Sequence, residues 1–179
     1  MKRAFLFSVL LLFAFSGCEK EEDPVTSGEA TLTSDRVLEG STYSIYGFSF
    51  EQGMVIKYNP AGTGTIPDFF ILPITDGGQP SGALLDTPNQ SKSFSLTAEF
   101  SDPLVALQYF NYYKNVIDSN YVFLANPLEE NQVWTFRTNS DKFGKILMKE
   151  VKALVKNNEN YAETTFLWEY QPNGSMEFK

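Results

Sequence analysis

Histidine is absent from the 179 residues, and cysteine occurs once, at Cys18. Without histidine there is no Ser–His–Asp or Cys–His pair for nucleophilic catalysis and no mixed His/Cys set for zinc. A single thiol closes no internal disulfide, so a folded domain must hold itself together by packing. Cations are in short supply: 14 Lys and Arg stand against 22 Asp and Glu, for a net charge of −8. An acidic surface without a basic stripe repels nucleic acid, and it repels anionic lipid for the same reason. No glycine-rich loop followed by Lys-Ser or Lys-Thr is present to cradle phosphates. Long apolar runs are missing too. The longest, Ala4 to Phe15, is broken by Ser8, and at about 1.5 Å rise per residue it is too short to span a bilayer.

That run nevertheless has a purpose. It follows Met1-Lys2-Arg3 and precedes Ser16-Gly17-Cys18, the order of charge, apolar stretch and small residues that marks a secretory signal. A signal peptidase needs small side chains before the cut, and lipidation needs a thiol at the first mature position. Phe15-Ser16-Gly17-Cys18 resembles a bacterial lipobox, with Phe15 where Leu is usual. The reading is a signal peptide over 1–17, lipidation at Cys18 and a flexible tether over 18–29. Within that tether, Glu19-Lys20-Glu21-Glu22-Asp23-Pro24 has no apolar face. Its Lys20-Glu21-Glu22 resembles the export tag of surface lipoproteins in Bacteroidota. The expected location is therefore the outer membrane, lipid-anchored, on the cell surface, with the acyl chains as the membrane link. Removing Lys2 and Arg3 leaves 12 basic against 22 acidic side chains, so the mature charge is −10.

The remaining residues, 30–179, suffice for one domain with a real core. They are rich in Phe and Tyr, with Thr, Val and Ile in alternating runs, a strand-forming composition. The pattern predicts strands over 42–50, 54–58 and 68–72 (ended by Pro73), then 94–100, where Phe94, Leu96, Ala98 and Phe100 alternate with polar residues. Asp76 to Gly82 reads as a loop. One helix follows: Ser101 or Asp102 can cap it, Pro103 suits its first turn, and Leu104, Leu107 and Tyr109-Phe110 recur at helical spacing up to about Val116. One helix among strands suggests a lid or plug. Further strands are expected over 132–138, 143–155, 162–170 and 175–179, with turns at Asn139–Asp141, Asn157–Asn160 and Gln171–Gly174. Thr164, Phe166, Trp168 and Tyr170 should share one side. The fold class is all-β, a mostly antiparallel sandwich-like meander with one short helix.

Val133-Trp134-Thr135-Phe136-Arg137-Thr138, then Lys142-Phe143-Gly144-Lys145-Ile146, and later Thr164 to Tyr170, resemble the HmuY-type lipoproteins of Bacteroidota. The resemblance covers the last third well and the middle poorly. It implies a single all-β domain, haem capture, and an outer-membrane transporter as partner. The best-studied relatives hold iron with two His, which this chain lacks; some relatives are thought to use Met. The mature chain offers Met54, Met148 and Met176, whose thioethers are soft axial ligands, although Met more often fills gaps in a core. Tyr also binds ferric haem; Tyr112 and Tyr113 on the helix, and Tyr43 and Tyr46 on a strand, are available.

Glycosidic cleavage needs paired carboxylates. Glu99, Asp102, Glu129, Glu130, Glu163 and Glu169 are the candidates, though exposed acids are usually solvated surface. Asp76-Gly77-Gly78 lacks the alternating acids of a calcium loop. The expectation is a non-catalytic binding lipoprotein that captures haem or another nutrient. The alternative is an interaction lipoprotein that binds a protein or glycan and no small molecule. A Met- and Tyr-lined cleft under the helix favours the first; a solid core with an exposed aromatic patch favours the second.

Overall fold

A computed structural model describes residues 25–117 and 120–178. The segment expected to be a signal peptide, Cys18 and the acidic stretch after it lie outside the described residues. The described chain forms, in order, β1 (Ser27–Thr33), β2 (Arg36–Glu39), β3 (Thr42–Ser49), β4 (Met54–Tyr58), β5 (Phe69–Asp76), β6 (Gln79–Asp86), β7 (Phe94–Glu99), α1 (Pro103–Tyr112), β8 (Gln132–Arg137), β9 (Phe143–Lys156) and β10 (Glu159–Gln171). The first sheet has the order β1-β10-β9-β8-β7; the second joins β2, β3, β5 and β6, with β4 also paired to β3. All pairings are antiparallel.

The two sheets pack face to face over a core of aromatic rings. Phe48, Phe50 and Phe69 from the second sheet side meet Phe94, Phe136, Phe166 and Trp168 from the first, and most of these are fully buried. The rings meet edge-on or tilted, for example Phe48 on Phe166 at 5.2 Å between centroids and 85° between planes, an arrangement that sets positive ring edges on negative faces. Gly144 is required by this packing: a Cβ there would lie 2.4 Å from Phe50 Cζ. Thr164, Phe166, Trp168 and Tyr170 do share the inward face, as strand alternation requires.

Helix α1 sits elsewhere. It lies on the outer face of the first sheet, where Ala106 and Phe110 pack on Val133 and Leu147. Asp102 caps it, accepting from the backbone N–H of Leu104 and Val105. It ends at Tyr112, short of Val116, and does not cover a space between the sheets.

Several elements differ from the sequence reading. β1 begins at Ser27, so the last three residues assigned to the tether, 27–29, are paired to β10. β1 and β2 are short and polar, with strand character imposed by their partners. Pro73 does not end β5, which pairs through it to Asp76. Beyond Phe70 that strand keeps only β6 as a neighbour, and an edge facing no strand needs no N–H donor. The Asp76–Gly82 loop is instead a tight turn at Gly77-Gly78, both with positive φ, followed by β6. Residues 175–178 add no strand to a sheet; the turn at Gly174 leads to a single bridge between Glu177 and Asn115.

Candidate functional site

Along one edge, β3 exchanges partners. Ile45 pairs both with Arg36 of β2 and with Tyr58 of β4, so β2 and β4 lie on opposite edges. Gly47 and Phe48 pair both with β4 and with β5, which places β5 opposite β4 as well. β2 and β5 therefore follow one another on the same edge of β3 and part at Tyr46. The fork opens into a cleft of about 650 Å³, within the range of about 300–1,000 Å³ that small-molecule sites occupy.

Three walls flank it. Tyr43, Ile45 and Tyr46 of β3, with Tyr58 of β4, form the floor and one side; Phe70, Leu72 and Pro73 line the β5 side; Thr33, Ser34 and Arg36 line the other. The tip of the β9–β10 hairpin, Asn158, Glu159 and Asn160, closes the end. That tip is a two-residue turn with positive φ at Asn157 and Asn158, the geometry that matches the twist of the flanking strands.

The walls are tied together before any ligand arrives. Lys156 of the hairpin pairs with Asp35 at 2.9 Å and lies 4.2 Å over the Tyr161 ring. Ser34 and Ala162 exchange two hydrogen bonds, Ser34 N–H to the Ala162 carbonyl and Ala162 N–H to Ser34 Oγ. The Asn160 amide donates to the Gly78 carbonyl at 3.3 Å, joining the hairpin tip to the β5–β6 turn. Tyr161 donates to Glu163 at 2.6 Å. Burial, and then that bond, push the Tyr161 hydroxyl above its ordinary pKa, while the same bond holds Glu163 below its own.

The cleft has an electrostatic focus. The Arg36 guanidinium lies 5.6 Å over the Tyr43 ring and has no carboxylate within ion-pair distance among the described residues. Glu159 is the carboxylate that lines the same space.

The sequence candidates fall elsewhere. Met148 is buried in the core, its sulfur 3.7 Å from the Thr164 hydroxyl, which donates to the Glu150 carbonyl at 2.8 Å. Met54 opens β4 and is 53% exposed; Met176 is exposed in the C-terminal segment, its carbonyl accepting from Val116 N–H. The three sit on different elements, and none lines the fork cleft. Tyr112 is 83% exposed at the helix end. Tyr113 is buried, stacked on Tyr109, and its hydroxyl accepts from Thr135 Oγ1 and Ile117 N–H. A second cavity does lie beside α1, lined by Pro103, Leu104, Leu107, Leu147 and Met148, but it measures about 230 Å³, below the usual range for a drug-sized ligand.

Of the acids, Asp102 caps α1, Glu99 accepts from Gln132, Glu163 from Tyr161 and Lys152, and Glu169 from Lys145. Glu129 and Glu130 are exposed. The sequence reading named Tyr43 and Tyr46 without distinguishing them, and it missed Arg36, Ser34 and Tyr58. Arg36 carried no local signal: it opens β2 with Asp35 before it and Glu39 after it, the setting of an ordinary surface cation. Compared with family models, with curated proteins and with solved structures, the chain matches none.

Proposed function

We propose that this protein is a non-catalytic, lipid-anchored binding module at the surface of a bacterial outer membrane, and that it holds a segment of glycan in the fork cleft. The observation that carries the reading is the lining of that cleft. Three tyrosines line it with hydroxyl, amide and charged groups, beside an apolar side of Ile45, Phe70, Leu72 and Pro73, and the space is open. A sugar ring presents the matching pattern, with weakly positive C–H groups on its faces for the negative face of an aromatic ring and hydroxyls around its edge for amides and hydroxyls. Haem asks for something different, a deep apolar slot with an axial ligand. The cavity beside α1 is small for it, and the methionines are dispersed. The tied walls favour the reading as well, since a preformed site loses little entropy on binding.

The test is calorimetric titration of the mature domain with a panel of oligosaccharides, beside a haemin titration followed by absorbance. Saturable binding of at least one oligosaccharide is expected, weakened in Tyr46→Ala and Tyr58→Ala and unchanged in Tyr112→Ala, with no saturable Soret shift. A one-equivalent Soret shift, lost on substituting Met or Tyr, would replace the glycan with haem.

A further inference from the structure

We infer that the sugar held in the fork cleft is an acidic one, and that Arg36 takes its carboxylate. The inference rests on the glycan reading above and narrows it. Among the described residues, Lys57, Lys142, Lys145, Lys149, Lys152 and Lys156 each pair with a carboxylate. Arg36 is the exception at the cleft. Its Cζ lies 5.6 Å from the centre of the Tyr43 ring. Among the described residues no carbonyl or carboxylate takes a hydrogen bond from its guanidinium, so its donors remain for a two-point bond to a carboxylate. Resting on an aromatic ring also limits the rotamers that the side chain gives up on binding.

The surroundings set how much negative charge the ligand can carry. Glu159 lines the same cleft, and the whole chain is acidic by eight charges. A densely sulfated or phosphorylated polymer would meet that field along its length. A chain with one carboxylate aligned on Arg36, and neutral hydroxyls elsewhere, would not. Its hydroxyls would face Asn158, and its ring face would lie on Tyr58.

The experiment uses matched oligosaccharides whose acidic sugar (galacturonic, glucuronic or sialic acid) is either free or methyl-esterified, titrated into the mature protein and into R36Q and R36K. One free-acid member should bind about tenfold to a hundredfold more tightly than its ester, the range for a charge-assisted hydrogen bond. R36Q should remove the difference in affinity between acid and ester, which a merely structural role for Arg36 would not do. R36K should recover only part, since it keeps the charge and loses the fork. Equal binding of acid and ester, lost in Tyr58→Ala, would overturn the inference and keep the glycan reading. Binding of none of the sugars, neutral or acidic, would overturn both. Tighter binding of a short peptide through its C-terminal carboxylate, dependent on Arg36, would overturn the sugar and retain the anion.

Discussion

Asp68 shows what a single half-buried carboxyl does to this fold. Its Oδ2 accepts from Phe50 N–H at 2.7 Å, at the point where β3 leaves the core. Burial outweighs that bond and raises its pKa from 3.8 to about 6. The unfolded chain thus releases this proton near pH 3.8, whereas the folded chain keeps it to about pH 6. Between those values the native state binds more protons, so stability falls as pH rises, by about 3 kcal/mol across the window. Asp68→Asn keeps an acceptor for Phe50 and removes the charge. Urea unfolding from pH 4 to 7 should show wild type losing stability relative to the variant through that window, with the variant more stable at pH 7. Parallel curves for the two proteins would refute the assignment.

At the scale of elements, one side chain fastens the helix to the sheet. Lys145 of β9 is fully buried and donates to the carbonyls of Phe110 and Tyr113, at 2.8 and 2.9 Å, and to Glu169 at 2.7 Å. Three donors meet three acceptors, two of them carbonyls at the end of α1, where a positive charge also suits the helix dipole. Phe110 and Phe178 flank the ammonium. Burial pulls its pKa down, and Glu169 opposes that. Lys145→Met should cost about 3–5 kcal/mol, because it strands a partly buried carboxylate and two carbonyls. Adding Glu169→Leu should return part of the loss. Chemical denaturation of the single and double variants checks both, and a loss under 1 kcal/mol in the single variant would argue against the clamp.

The same elements show what was legible beforehand. β10 carries alternation strong enough to give its inward face, Thr164, Phe166, Trp168 and Tyr170. In β7 the expected common face of Phe94, Leu96, Ala98 and Phe100 fails, because a bulge between Leu96 and Ala98 breaks the alternation and leaves Leu96 exposed while Phe94 is buried. Asp102 and Pro103 marked the helix start because a cap is a local hydrogen bond. β1 and β2 were not legible: Ser27–Thr33 carries little apolar periodicity and is a strand because β10 supplies its ladder. Proline misled at Pro73, where the free edge of β5 removes its usual penalty. The cleft was hidden for a related reason. It arises where β3 changes neighbours, a property of three pairings between distant segments, and Lys145 stood in the sequence as one charge among several along β9.

On the scale of the whole molecule, the core needs no disulfide, since rings from both sheets interlock. The proposed lipid anchor at Cys18 is therefore testable apart from folding. Cys18→Ser should abolish incorporation of radiolabelled palmitate and shift the protein from the membrane fraction to the soluble one, with the melting temperature of the domain unchanged. Continued labelling would place the anchor elsewhere.

The fork has a consequence for descent. The space exists because of how β3 is paired, whereas the side chains facing it, such as Arg36, Tyr43 and Tyr58, stand mostly at its surface and contribute little to the packed interior. Mutations there can be tried and discarded over generations while the interlocked rings stay as they are. The scaffold is thus suited to diversification, in which sister copies keep the same two sheets and each comes to recognise a different molecule.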